Sequence, residues 1–410
     1  MKKKVIVEPS ETLFKLPEPL GEQFKGLSRR VEKRNIEIID LGKISIDFPD
    51  KLKSLLRIDQ SEIWGDASRL ADFELRLKQK IADWIKNDYD ISLDPEHEML
   101  LTTGNTPGSF MAIMSLLDKN SRIFIPEPGY SLYRACALTA GAEIETYTVS
   151  EITDFQPNLE KIRSRMGQNT KAIVVNYPHN PTSKGVDLKT YDRLSEFARK
   201  NNMIVIADSV YLLHGGDGFS HPMYLQSNHG KASGIELITF SFLFNLPAFK
   251  IGVALGHRDF ISPLRKFRAT FNQIPSVFDM EIADKLLDNR EEVQKFFSQR
   301  FAENRKLVYD WLDKLGWEYL SSSYAPFVWI KLPHRRRVAL TFCRMLLKRT
   351  GVIMLPGSFF GEEGEGYIRL ALGQPSEKIE EAFKRIENYS KIYKVPKKMK
   401  SKRRTDGGQD

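Results

Sequence analysis

Several stretches of this 410-residue chain place chemically useful side chains directly after runs of β-forming residues. Thr103-Gly104-Asn105-Thr106-Pro107-Gly108 opens a helix, and backbone N–H groups at a helix start beside a glycine suit a phosphate, although an Asn or Thr helix cap is the ordinary explanation. Pro126-Glu127-Pro128-Gly129-Tyr130 offers an aromatic that could stack on a heteroaromatic ring or close a core. In Asn176-Tyr177-Pro178-His179-Asn180-Pro181-Thr182 the prolines fix the Asn180 amide, and His179 reads as a turn or surface residue. Ile206-Ala207-Asp208-Ser209-Val210-Tyr211 ends a buried strand with a carboxylate, either a cap or a group that holds a proton on a ring nitrogen. The run Leu237 to Gly252 carries Thr239 and Ser241, then Lys250, which could build an anion pocket at a strand end. Arg369, in Tyr367-Ile368-Arg369-Leu370-Ala371, has the planar fork that matches a carboxylate, with a surface strand arginine as the bland alternative.

The elements that must position these groups alternate along the chain. Apolar positions Leu75, Leu77, Ile81, Trp84 and Ile85 predict a helix from about Phe73. Strands are expected at Glu98 to Thr103, Arg122 to Ile125, Glu143 to Tyr147, Lys171 to Asn176, Met203 to Ala207, Leu237 to Thr239 and Val253 to Gly256, with helices at Phe110 to Leu117, Leu132 to Ala140 and Leu188 to Ala198. That pattern implies an α/β fold, a three-layer, mostly parallel sheet covered on both faces, whose ligands bind outside the carboxyl ends of the strands. A long helical stretch, Phe278 to Leu315, leads to a smaller α+β unit with strands at Phe327 to Lys331, Val352 to Leu355 and Tyr367 to Ala371, and helices at Val338 to Lys348 and Glu377 to Tyr393. A short strand is expected at Ile36 to Leu41. The expected divisions are an N-terminal arm with part of the small domain (1–50), a large domain (51–290), a small C-terminal domain (291–395) and a disordered basic tail (396–410).

Of the net charge of +9, the last 20 residues supply +6, eight basic side chains against Asp406 and Asp410. The nearly neutral body argues against a nucleic-acid-binding domain. Cys136 and Cys343 stand far apart without neighbouring ligands, as expected of small core residues in a reducing compartment. No segment has the composition of a signal peptide or the roughly 20 apolar residues of a membrane span, so a cytoplasmic location is expected.

Taken in order, Gly104-Asn105-Thr106, Tyr130, Asn180-Pro181-Thr182, Asp208-x-x-Tyr211, Thr239 with Ser241, Lys250, Leu355-Pro356-Gly357-Ser358-Phe359-Phe360-Gly361 and Arg369 resemble the motifs of fold-type I, class I/II aminotransferases. The resemblance spans about residues 35–390. It implies pyridoxal 5'-phosphate or its amine form, pyridoxamine 5'-phosphate, as cofactor, an amino acid or 2-oxo acid as substrate, and a homodimer. It also implies a phosphate loop at Gly104, Asn105 and Thr106, ring contacts from Tyr130, Asn180, Asp208 and Tyr211, a phosphate segment at Thr239, Ser241 and Lys250, and a substrate-carboxylate clamp at Arg369. Aligned through Asn245-Leu246-Pro247 and Ile251-Gly252, the family's Schiff-base lysine falls on Phe242 and its phosphate arginine on Lys250. No catalytic lysine is then expected, and two readings stand open: noncovalent binding of the cofactor or of a cofactor–amino acid adduct, and a silent binding or scaffold subunit.

Overall fold

The computed structural model describes residues 8–18, 22–44, 48–57, 68–214, 221–246, 249–333 and 338–392. The basic tail, Pro247, Ala248 and Asp66 lie outside the described residues. After α1 (Glu11–Lys15), α2 (Glu22–Glu32) and the short strand β1 (Ile39–Asp40), the long helix α3 (Ser68–Tyr89) buries Leu77, Ile81, Trp84 and Ile85 of the expected apolar positions, whereas Leu75 is exposed. Strands and helices then alternate: β2 (Met99–Thr102), α4 (Asn105–Leu116), β3 (Arg122–Glu127), α5 (Ser131–Ala140), β4 (Glu143–Thr148), α6 (Leu159–Arg165), β5 (Thr170–Asn176), α7 (Leu188–Lys200), β6 (Ile204–Asp208), α8 (Gly230–Ser233), β7 (Gly234–Thr239), α9 (Phe240–Leu243) and β8 (Gly252–Gly256).

These strands form one seven-stranded sheet in the order β2-β8-β7-β6-β5-β3-β4. All neighbours are parallel except at β8, which runs antiparallel to both β2 and β7. The reason for the unbroken apolar runs is visible in β5, where Ile173 and Val175 enter the core on one face while Ala172 and Val174 enter a second core on the other. The sheet is thus the mostly parallel, doubly covered one expected.

Beyond β8 come α10 (Arg258–Thr270), α11 (Val277–Asp288) and α12 (Arg290–Leu315). The long helical stretch expected from Phe278 to Leu315 is two helices that meet at Asn289, at φ −108° and ψ 20°, whose amide donates to the Lys285 carbonyl. An Asn that satisfies the end of one helix is a natural place to start the next. The remaining elements are β9 (Tyr319–Leu320), β10 (Phe327–Lys331), α13 (Ala339–Thr350), β11 (Val352–Ile353), β12 (Leu355–Pro356), β13 (Tyr367–Ala371) and α14 (Ser376–Ile392). The strand expected at Val352 to Leu355 is two: β11 pairs with β1, whereas β12 joins an antiparallel sheet ordered β12-β13-β10-β9. Of the strand expected at Ile36 to Leu41, only Ile39 and Asp40 pair in β1, tying the N-terminal arm to the C-terminal unit.

Among the described residues no helix is long and apolar enough to cross a membrane, and no group of three or more His, Cys, Asp or Glu could hold a metal ion. Both cysteines are free and buried.

Candidate active site

Sheet register brings the chemistry to one edge. Asn176 pairs with Asp208 across β5 and β6, Asp208 with Leu237 on β7, and Gly252, the first residue of β8, faces both Thr239 and Thr102. The strand ends of β2, β5, β6 and β7 therefore open onto a common space, as a parallel sheet's ligand site requires.

Asp208 is the electrostatic centre of that space. It is 1% exposed; its Oδ2 accepts from the Tyr133 hydroxyl at 2.6 Å and from Asn105 Nδ2 at 3.0 Å, and the Val210 N–H approaches Oδ1 at 3.3 Å. Burial raises its pKa against the opposing effect of these three donors. Among the described residues no cation bonds to it. Asn105 is not a helix cap, because the N-cap of α4 is Gly104 at φ 95°, a conformation that a side chain would strain. That leaves the Asn105 amide to cross to Asp208, while Thr102 donates to the Gly104 carbonyl at 3.0 Å.

Asn180 accepts on Oδ1 from Arg369 Nη1 at 2.8 Å, which fixes which end of the amide faces the guanidinium. Arg369 is not a surface arginine. It is 5% exposed, donates from Nη2 to the Gly42 carbonyl at 2.9 Å, and lies with its Cζ 4.2 Å from the Phe327 ring and 5.0 Å from the Phe360 ring. Burial brings its pKa down to about 10, so it stays charged at neutral pH. His179, expected as a turn or surface residue, lies in the turn but is buried, with Nδ1 2.8 Å from the Thr182 hydroxyl and a pKa driven down to about 3 by desolvation. It is a neutral packing residue of the turn.

At the opposite side, Thr239 and Ser241 donate to the carbonyls of Ile251 and Phe249, the residues on either side of Lys250. With their protons engaged there, both hydroxyls hold the backbone that presents Lys250. The exposed Lys250 stands beside the start of α4, its Cα and Cδ 3.9 Å from where a Cβ on Gly104 would lie. Free N–H groups at the helix start and a lysine together suit an anionic group. Thr106, exposed in the first turn of α4, meets the hydroxyl of Tyr130, whose ring stands edge-on to Tyr133 with centroids 6.1 Å apart.

Phe242 is half-buried on α9, its ring 5.3 Å from that of Tyr211, which also meets Phe327 edge-on at 5.3 Å. Val210, Tyr211, Ala325, Phe327 and Ala371 pack together, with Phe242 and Ile44 against them, so the wall below Arg369 is apolar.

The residue matches extend over the chain. The family profile described as aminotransferase class I and II matches residues 52–386. A curated relative, the LL-diaminopimelate aminotransferase of Aquifex aeolicus, is 30% identical over 389 residues, covering 93% of this chain and 99% of its own. The chain belongs to the class I and II aminotransferases. A second enzyme of the same name, from Halothermothrix orenii, is 28% identical over 93% of this chain and 98% of its own. Among solved structures, substrate-bound BacF from Bacillus subtilis superposes with a TM-score of 0.86 at 23% identity, covering 97% of this chain and all of that one. The aspartate aminotransferase of Thermotoga maritima gives 0.81 at 22%, covering 93% of this chain and all of its own. At those identities the structures speak for the fold alone.

The family depends on pyridoxal phosphate and acts on amino acids or 2-oxo acids, and two kinds of observation show that this chain's residues fit such a group. Among the described residues, Asn105 Oδ1 and Arg369 Nε are buried without protein partners. The buried carboxylate of Asp208 has hydroxyl and amide donors but lacks the cation that a protonated pyridine nitrogen provides.

Sequence reasoning missed Tyr133, Gly42 and the Phe327–Phe360 slot for Arg369. It also missed Glu236, a fully buried carboxyl that accepts from the Ser209 hydroxyl at 2.6 Å and from the N–H groups of Tyr224 and Leu225 at 3.1 and 3.0 Å, anchoring the residue after Asp208. A Glu inside an otherwise apolar strand was the available signal. Burial pushes its pKa up to about 7. The folded protein therefore keeps a proton there between about pH 4.5 and 7 that the unfolded chain has lost, and stability falls as pH rises through that window. Glu236→Gln should be less stable throughout, since an amide N–H would face a backbone donor. The wild-type advantage measured by denaturant titration should shrink between pH 4.5 and 7, by up to about 3 kcal/mol.

Proposed function

We propose that this chain is an aminotransferase-like protein that holds pyridoxal phosphate, pyridoxamine phosphate or a cofactor–amino acid adduct without a covalent lysine link. The observation that carries the reading is the pairing of an intact polar ring site, Asp208 with Asn105 and Tyr133, with a phenyl ring at Phe242 packed against Tyr211. In this reading Asp208 holds the proton on the pyridine nitrogen, Asn180 Nδ2 and the Tyr211 hydroxyl donate to the ring oxygen, and Tyr130 lies against the ring. Lys250 and the start of α4 take the phosphate, and Arg369 takes the amino-acid carboxylate. The cofactor supplies an electron sink for charge that develops at the amino-acid α-carbon. Phe242 has no amine with which to link the cofactor or carry the proton, so the chain depends on noncovalent contacts for holding it.

Equilibrium titration of the purified protein with both cofactor forms and a panel of amino acids, including LL-diaminopimelate, tests this, followed by borohydride reduction and peptide mass spectrometry. Saturable binding with no pyridoxyl-modified lysine is the expected result. A modified lysine would overturn the noncovalent reading, and absence of binding would favour the silent scaffold subunit.

We further infer a homodimer, supported by an apolar stretch at the α10–α11 junction where Phe271 is 60%, Ile274 37% and Phe278 43% exposed. Phe271→Glu should shift the species seen by light scattering from dimer towards monomer; an unchanged mass would remove this face from the interface.

A further inference from the structure

A cleft of about 770 Å³ runs between the first half of α3, the turn before β2, and α10, away from the residues assembled around Asp208. Its inner wall is unevenly charged. Lys78 is 5% exposed, and its closest ion pair among the described residues is with Glu74 Oε1, at 3.9 Å. That carboxylate is already gripped by Arg268, with Nη1 at 2.8 Å and Nη2 at 3.1 Å, and Arg268 Nη1 also donates to the Leu101 carbonyl at 3.1 Å. Arg265 donates to the Glu96 carbonyl, leaving its charge uncompensated by any carboxylate bond among the described residues. The buried and half-buried wall thus carries three cations against one carboxylate, whereas Asp72, Glu96, Asp259 and Arg258 lie exposed at the rim. Desolvation lowers the Lys78 pKa, and Arg265 and Arg268 add to that, against the opposing pull of Glu74 and Glu96.

We propose that this cleft is a second ligand site, for a compact oxoanion of the phosphate type, bound by Lys78 and Arg265 with Arg268 as the fixed inner charge. A tetrahedral oxoanion supplies the acceptors that a rigid guanidinium and an ammonium require, and the low exposure of Lys78 strengthens a charge-assisted bond there. The site is independent of the cofactor reading, because none of its residues belongs to that site.

Lysine footprinting of the full chain with an amine-acylating reagent, read by peptide mass spectrometry, locates binding at Lys78 even if phosphate also occupies the α4 start. Inorganic phosphate, at ionic strength held constant with chloride, is expected to slow Lys78 acylation saturably while leaving Lys231 unchanged. Arg265→Gln should raise the phosphate midpoint about tenfold, the loss expected for one charge-assisted contact. Three outcomes would overturn the proposal: equal protection by chloride alone, an unmoved midpoint in Arg265→Gln, or protection that follows protein concentration instead of phosphate. The last would make the cleft an interface between copies.

Discussion

Phe242→Lys is expected to create a covalent cofactor site at residue 242. Incubated with pyridoxal phosphate and reduced with borohydride, the variant should gain the mass of one pyridoxyl phosphate at residue 242, while the parent chain gains none. The structure favours a clean substitution. Phe242 is half-buried, its side chain lies against Tyr211 on a one-turn helix, and that helix is held by the Thr239 cap and by the engaged hydroxyl of Ser241, neither of which uses the phenyl ring. Losing the ring costs about 1.5 kcal/mol of packing, the lower end for a buried aromatic. A lysine there would also supply a positioned base, worth roughly 10²–10⁴ in rate, so amino-group transfer measured with a panel of amino acids should rise by that order. If the variant binds cofactor yet carries no pyridoxyl group at residue 242, the alignment that equates Phe242 with the family's lysine fails.

The central strands were legible because both faces are covered: Ala172 through Val175 are apolar at every position, and three of the four, Ile173, Val174 and Val175, are β-branched, which favours a strand. The helix breaks and strand splits were not, because they depend on partners remote in sequence. Val352 and Leu355 look like one strand until β1 and β13 claim different ends of it. The candidate site divided in the same way. Asp208 and Asn180 stand out locally, the one ending an apolar strand and the other fixed between prolines. Tyr133 occupies an ordinary helical position beside buried Cys136 and Ala137, and only the fold shows that its hydroxyl reaches Asp208, 75 residues away. Similarly, the environment of Arg369 is assembled from Gly42, Asn180, Phe327 and Phe360, four separate segments that no local pattern connects.

Asp208→Asn should separate cofactor binding from stability, with opposite signs. The carboxylate is buried, and desolvation raises its pKa, so in the ligand-free protein its ionised form works against folding. Stability contributed by the protonated form is lost as pH rises from the unfolded value of 3.8 through the raised folded value. An asparagine can place its carbonyl oxygen where Oδ2 now accepts from Tyr133 and Asn105; its amide N–H then faces the Val210 N–H, but only across the long 3.3 Å approach, a smaller cost than the buried charge removed. The ligand-free variant should therefore match or exceed the parent in denaturant midpoint at pH 7, by up to about 1–2 kcal/mol. Its affinity for pyridoxamine phosphate should fall by roughly 10–100-fold, because an amide cannot supply the negative charge that holds a proton on the pyridine nitrogen. Calorimetric titration beside urea unfolding checks both halves. Reduced affinity with unchanged or improved stability identifies Asp208 as a ligand-directed group whose charge the empty fold does not need. Lower stability with unchanged affinity would instead make Asp208 a structural anchor for Asn105 and Tyr133, and the ring-binding assignment would fall with it.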